Sequence, residues 1–391
     1  MGLTQYGDYF YLYILLLSFI PAIVLCLLGK KPKIYGIIAS ILMILVIIGR
    51  GIGLKLFILF FIGETFVIYT YLFIRKKSDN KYIYFLFLFF SILPLIVTKI
   101  AGVTPYASII GFVGLSYINF KAIQMVIEIY DGRITNINFV AYLYFFIFFP
   151  TLSSGPIDRW KRFEEDINTK ISASEYFNDY LFIGIRKIFT AVLYKFVIAY
   201  LIDTYWLTKI PSEINFVNSL NYMYAYTMYL FFDFAGYSLF AIGTSYIYGI
   251  RTPENFKKPF LSKDMKEFWT RWHISLSRWF GDYIFSRFVL NSMRNKRFKN
   301  RFTASHVAQI ITMFVMGLWH GLTPYYLIYG LYQGSALVLT DIYQRKSKYY
   351  KKHKKERWFQ CLQILVTFHI VCFGMLIFSG HLFSWKSKIG G

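Results

Sequence analysis

The sequence predicts an all-α integral membrane protein, and two observations carry that prediction. Of 391 residues, 57% are hydrophobic and 21% aromatic, and the apolar runs are too long and too many for one water-soluble core. The net charge of +23 is gathered into a few basic runs between apolar segments, the pattern that sets the orientation of a membrane chain. Residues 1–391 read as a single polytopic membrane domain in the plasma membrane. The basic runs suit anionic lipid head groups and an acidic partner, and nothing in the chain suggests nucleic acid as a partner.

The elements follow in order. The run from about Tyr9 to Leu28 is long enough to span and is followed by Lys30, Lys31 and Lys33, which place its end in the cytoplasm and the N-terminus outside. Residues 2–6 lack a basic leader, so this run is expected to be a retained helix. Ile34 to Ile48 crosses back, and about Leu54 to Ile74 returns to the basic run Arg75, Lys76, Lys77 and Lys81. Glu64, inside the third run, is expected to take a structural hydrogen-bonding role. Tyr82 to Val97 crosses outward. Gly102 to Gly114, with Pro105 and three glycines, suits a re-entrant segment. Phe120 to Tyr130 has helical spacing, Phe139 to Phe149 stops at Pro150, and Trp160 opens a basic amphipathic helix of interfacial type.

Two further spans are expected at about Tyr180 to Trp206, which carries Arg186 and Lys195, and about Tyr222 to Ile250, which carries Asp233. A carboxylate at that depth is protonated or paired. Residues 251–301 hold thirteen Lys and Arg and mark the cytoplasmic face, yet Phe268 to Leu290 keeps apolar and aromatic residues at helical spacing, as helices dipping into the protein from that face would. Thr303 to Leu318, about 24 Å long, is a short outward run that leaves His320 beyond the middle of the bilayer. Tyr325 to Tyr343 returns to a basic stretch over 345–357, and Trp358 to Phe378 crosses out. The total is about ten or eleven transmembrane helices plus re-entrant and interfacial ones.

Two histidines stand out. His320 lies in Gly317-Leu318-Trp319-His320-Gly321 and His273 in Trp269-Thr270-Arg271-Trp272-His273-Ile274-Ser275. An imidazole near bilayer depth is expensive to keep and marks a functional group. A base titrating near neutrality takes a proton from a hydroxyl attacking an activated acyl group, contributing about 10²- to 10⁴-fold. A catalytic nucleophile is not evident: the chain has no Gly-x-Ser-x-Gly elbow, and Cys26, Cys361 and Cys372 sit in apolar runs. The odd cysteine count without CxxC spacing supports neither a disulfide framework nor a zinc site, so no metal is assigned. The bland alternatives are an interfacial anchor with a helix cap, or a proton relay in a transporter. No internal repeat is visible, which counts against the latter. His306, His353 and His381 sit near segment ends and read as interface residues.

Residues 268–277 with their Trp-His-Ile-Ser core, Asp282-Tyr283, and Gly317 to Gly321 resemble the membrane-bound O-acyltransferase family. Gly114 to Tyr117, the Phe149-Pro150 to Gly155-Pro156 turn, Tyr229 to Tyr237 and Tyr325 to Gly330 are similar to landmarks of the bacterial branch that D-alanylates teichoic acid. The resemblance implies a ring of helices around a central tunnel or funnel, with His320 as catalytic base and His273 as its polar partner. Trp319, Trp272, Ser275, Asp282 and Asp233 are the neighbouring candidates for the tunnel and its support. D-alanine would arrive as a thioester on the phosphopantetheine arm of a small acidic DltC-like carrier protein. It would leave on a teichoic-acid hydroxyl, directly or through a DltD-like extracytoplasmic partner; no cofactor is bound by the chain itself. O-acetylation of an exported polysaccharide, as in AlgI-like members, is the alternative within the family. Carrier docking is expected at Phe288, Val289 and Leu290 beside Arg294, Lys296, Arg297 and Lys299, since apolar residues ringed by cations suit an acidic helix. Gly281 stands where relatives carry an arginine before Asp282-Tyr283, so that arginine's role has no counterpart here.

Overall fold

The computed structural model describes residues 2–104 and 111–383. Among them helices alternate with short connections and no strand forms; the β-type pairing present is an isolated antiparallel bridge between Phe256 and Trp272. The chain divides into two compact units. The first holds the described residues up to Val192 together with Gly236–Pro253, the second Leu193–Ala235 with the described residues from Glu254 onward. The protein is an all-α membrane protein: among the described residues, six helices are long and apolar enough to cross a bilayer.

The first unit contains α1 (Tyr9–Leu27), α2 (Lys33–Ile48), α3 (Ile52–Arg75), α4 (Lys81–Ala101), α5 (Leu115–Tyr130), α6 (Phe139–Ile147), α7 (Trp160–Asn168), α8 (Ala173–Glu175) and α9 (Phe182–Val192). Asp8 starts α1 by accepting hydrogen bonds from the Phe10 and Tyr11 amides, which satisfies amides with no partner inside the helix. One stripe of α1 is buried, Tyr11, Leu15, Phe19, Ala22 and Cys26, while Phe10, Leu16, Leu17 and Ile20 are exposed. Large exposed aliphatic and aromatic side chains on a helix of this length are costly in water and at home in lipid.

Inside the unit, α5 is buried almost all round, the mark of a core helix. Its Lys121 Nζ donates to Phe145 O at 2.8 Å and its Gln124 Nε2 to Asp158 O at 3.2 Å. Glu64 on α3 accepts from Ser91 Oγ at 3.0 Å and Asn119 Nδ2 at 3.3 Å, the structural role the sequence suggested. Of the re-entrant stretch expected over 102–114, residues 105–110 lie outside the described residues. The amphipathic helix expected from Trp160 forms as α7, with Trp160, Phe163 and Ile167 buried.

The second unit contains α10 (Tyr200–Tyr205), the N-terminal part of α11 (Phe216–Ile247), α12 (Met265–Arg271), α13 (Ile274–Phe280), α14 (Ser286–Arg294), α15 (Arg301–His320), α16 (Pro324–Lys346), α17 (Lys348–His353) and α18 (Arg357–Phe378). The span expected over 180–206 is broken into α-helical and π-helical pieces, and Asp233 on α11 pairs with Lys195 on the π-helical segment Leu193–Ala199.

Helix α15 is longer than its apolar run suggests. It has 20 residues and starts at Arg301, because the Asn300 side chain accepts from the Thr303 amide. At ~1.5 Å per residue it reaches about 30 Å, enough to cross. Its partner α16 packs against it through glycines: a Cβ on Gly317 would meet Tyr326 O at 2.4 Å, and one on Gly330 would meet Met313 O at 2.6 Å. Asp341, buried on α16, joins three helices. It accepts from Lys266 of α12, from His306 Nε2 of α15 at 2.8 Å and from Arg345 Nε at 2.6 Å. His306 is therefore a hydrogen-bonding member of the polar cluster around buried Asp341, not a plain interface residue; its spacing from Asp341 is invisible until the hairpin closes.

Candidate functional site

His273 and His320 both lie in the second unit, each at a helix boundary. The first stands in the two-residue break between α12 and α13, with φ 43° and ψ 53°, left-handed values that a non-glycine residue adopts rarely and at a cost of about 1–3 kcal/mol. The break is held from both sides. The Trp272 amide closes α12 onto Phe268 O, while the Ile274 amide donates to Asn255 O at 2.9 Å. Asn255 Oδ1 also accepts from Ser275 Oγ at 2.6 Å and the Ser275 amide at 3.2 Å. Trp272 is packed among Phe231, Phe256, Phe260 and Phe268, and the His273 ring meets Phe234 edge to face at 4.8 Å. These short helices lie outside the six long spans. Burial lowers the His273 pKa to about 3, since an apolar surround disfavours the charged form. His273 is accordingly a neutral group at physiological pH.

The Asn255 clamp has no signature in the sequence. It lies eighteen residues before His273 in a basic loop, with no period linking the two, so only the folded chain brings them together.

His320 is the last residue of α15, with Gly321 extended beyond it. Its ring is enclosed by Trp319 at 4.5 Å, Phe378 of α18 at 4.8 Å, Tyr326 at 5.8 Å and Tyr329 at 6.2 Å. The glycines flanking it serve packing: a Cβ on Gly321 would meet the Tyr326 ring at 2.7 Å. The side chain remains half-exposed, hence reachable.

The second unit also holds a half-open cavity of about 410 Å³ lined by α12, α13, α15 and α16; neither histidine lines it. Trp269 and Ser277 line it, each four residues from His273, and so do Gln309, Thr312, Met313 and Met316. The last four fall at 0, 3, 4 and 7 along α15, and His320 is four further on, so they share one face of the helix with it. Trp269 Nε1, Gln309 Oε1 and Thr312 Oγ1 are buried and have no hydrogen-bond partner among the described residues.

The remaining candidates are placed as follows. Ser275 is held by Asn255, Asp282 is exposed on the π-helical turn after α13, and Asp233 is tied to Lys195. On α14 Val289 is turned inward with Ser292, whereas Leu290 is 70% exposed and Phe288 lies beside Phe298 with the rings tilted 42°. The helical period separates the adjacent residues 289 and 290, so Val289 drops out of an exposed docking face and Met293 joins Leu290 there. Arg294, Lys296, Arg297 and Lys299 are all exposed around that end.

Comparison with known proteins bears on the chemistry. The model of the membrane-bound O-acyltransferase family matches residues 54–379. The chain is 42% identical to the teichoic acid D-alanyltransferase of Bacillus subtilis (strain 168), over 97% of this chain and 99% of that one. It is 40% identical to the protein of the same name from Streptococcus thermophilus, covering 97% and 96%. A probable alginate O-acetylase, AlgI, of Pseudomonas syringae is 30% identical over 68% of this chain and 48% of its own length. These matches set aside the transporter alternative. A buried histidine at a helix break, a second histidine caged by aromatic rings at a helix end, and a match running from Leu54 to Ser379 converge on an acyltransferase: the chain belongs to the membrane-bound O-acyltransferase family.

Proposed function

We propose that this acyltransferase transfers D-alanine to hydroxyl groups of teichoic acid, taking it from a thioester on the phosphopantetheine arm of an acidic DltC-like carrier protein. The observation that carries the reading is the chamber whose α15 wall leads along one helix face to His320. Three buried polar atoms without partners would cost about 1–3 kcal/mol each if nothing met them. An arm with secondary amides offers both complements: Trp269 Nε1 donates to an amide oxygen, and Gln309 Oε1 accepts from an amide N–H. The activity for which the two nearly full-length relatives are named supports D-alanine as the acyl group and teichoic acid as acceptor.

In the proposed step the acceptor hydroxyl gives its proton to His320 as its oxygen attacks the thioester carbonyl. The carbon–sulfur bond breaks, an ester forms, and the thiolate recovers the proton. His320 stands at the C-terminal end of α15, the negative end of the helix dipole. His273, neutral and clamped, is suited to donating or accepting a hydrogen bond along the path rather than carrying charge. Carrier docking falls to Leu290, Met293 and half-buried Phe288 with Arg294, Lys296, Arg297 and Lys299. A DltD-like partner on the outer side completes delivery in this reading.

The test is the D-alanine ester content of teichoic acid in cells carrying wild type, His320→Ala or His273→Ala at matched membrane levels. Loss of esters in both variants is expected. Undiminished esters in His320→Ala would overturn its role as base. Acetyl transfer, the activity named for the alginate relatives, is distinguished by supplying the donor: ester formation from an acetyl donor without any carrier would favour it.

A further inference from the structure

A second cavity of about 460 Å³ opens on the flank of the second unit, away from the chamber described above. Its walls are one stripe of α16, including Ala336, Leu339 and Tyr343, and one stripe of α18, including Phe359, Leu362 and Val366. In each helix these positions repeat at three or four residues, so each stripe is a single face, about 18 Å long on α16 and about 17 Å on α18 at ~1.5 Å per residue. The helices are tight at one end: a Cβ on Gly374 would meet Gln333 Nε2 at 2.4 Å, and Tyr332 OH donates to Ile370 O at 2.9 Å. Toward the other end they part, with small Ser335, Ala336 and Thr340 facing the gap. Leu339 is 65% exposed, and Leu362 and Val366 are exposed too, so the groove faces whatever surrounds the helix pair.

The wide end of the groove is basic. Helix α17 and its flanks carry Lys346, Lys348, Lys351, Lys352, Lys354 and Lys355, all outward-facing and none in an ion pair among the described residues. Lys263 also lines the groove. The carboxylates nearby are already engaged. Asp264 accepts from Gln344 Nε2 and the Glu267 amide, Asp341 from Lys266, His306 and Arg345, and Glu356 from His353 and Trp358. An apolar cleft between α16 and α18, the latter long and apolar enough to cross a bilayer, opening under unpaired lysines at a helix end, has the chemistry of a lipid seat and not of a soluble ligand's.

We infer that this groove holds a two-chain anionic glycerophospholipid, its acyl chains between α16 and α18 and its phosphate under the α17 lysines. The occupant is chosen by charge: a zwitterionic lipid would fill the same cleft but gain nothing from six unpaired cations.

The experiment uses the purified full chain in detergent, mixed with equal amounts of phosphatidylglycerol and phosphatidylcholine of identical acyl chains, with retained lipid read by native mass spectrometry. Wild type is expected to retain phosphatidylglycerol in preference by about fivefold, the ratio that one well-placed cation contributes near a membrane surface. Ala336→Trp fills the narrow part of the cleft and should lose both lipids. Reversing charge at Lys351→Glu, Lys352→Glu and Lys354→Glu together should leave binding but remove the preference. Equal retention of the two lipids by wild type, or an unchanged preference in the charge-reversed chain, would overturn the inference. The three lysines lie on the surface, so that variant tests the proposal even if Ala336→Trp does not fold.

Discussion

At the scale of single residues, His273 combines a chemical signal that the sequence displays with a conformational one that it hides. The Trp-His-Ile-Ser segment draws attention to the imidazole, but nothing marks it as a left-handed residue, a conformation usually announced by glycine. The hidden part yields a test that separates position from chemistry. Asparagine tolerates left-handed values and β-branched residues do not. His273→Asn should therefore keep wild-type yield and Tm while losing ester formation. His273→Val should lose ester formation and also lower Tm by several degrees, as ~1–3 kcal/mol of added strain would. If both variants melt like wild type, the backbone at 273 is not constrained as described. Asn255 is illegible for a different reason: its role is to cap the break through Ser275 and the Ile274 amide, and such caps depend on which loop folds against which helix. Removing its side chain in Asn255→Ala strands the Ser275 donors. The expected loss is about 1–3 kcal/mol, read as a lower Tm, with Asn255→Asp retaining most of the stability because it keeps the acceptor. Glu64 and Asp233, by contrast, are legible as partnered carboxylates, because a lone acid in an apolar run has few options.

At the scale of elements, the apolar runs locate the long helices well, and polar starts mislead. Hydropathy alone begins α15 at Thr303 because Arg301 interrupts the apolar run, whereas the Asn300 cap begins it two residues earlier. The interrupted helices are legible as apolar stretches but not as broken ones, since π-helical turns leave no composition of their own. The glycines show how packing decides what an identical residue means. Gly330 sits where α16 crosses α15, and a Cβ there would lie 2.6 Å from Met313 O and 3.1 Å from Phe314 Cα. Gly330→Ala forces backbone apart, at a cost of about 1–3 kcal/mol, and moves the helix that carries His320. Ester formation should fall with Tm. Gly281, with φ −60° and open space within 4 Å of where a Cβ would stand, is the control: Gly281→Ala should leave Tm unchanged or raise it slightly, the gain of up to about 1 kcal/mol expected when a helical glycine gains a side chain. A lowered Tm in Gly281→Ala with none in Gly330→Ala would refute the packing of this hairpin.

At the scale of the whole molecule, the basic runs predict an orientation, with their side in the cytoplasm. In the first unit Lys31 Nζ donates to Gly249 O at 2.8 Å and Lys33 Nζ to Asn168 Oδ1 at 2.6 Å, bringing together ends of α1, α7 and α11 that the charge pattern assigns to one side. In the second, Gln344 Nε2 donates to Asp264 at 2.8 Å, joining the basic end of α16 to the start of α12. Which side that is comes from the excess of Lys and Arg alone. Helix α11, 32 residues long, fixes the alternative: the loop before it and the loop after it lie at opposite ends. With the basic runs in the cytoplasm, Ser212 is outside and Lys352 inside. In a chain whose exposed Cys361 is replaced by serine, leaving the buried Cys26 and Cys372, Ser212→Cys should react with an impermeant maleimide on intact cells. Lys352→Cys should react only after the membrane is opened. The reverse pattern would invert the chain, put the end of α15 with His320 toward the cytoplasm, and remove the outward delivery on which acyl transfer to a cell-surface polymer depends.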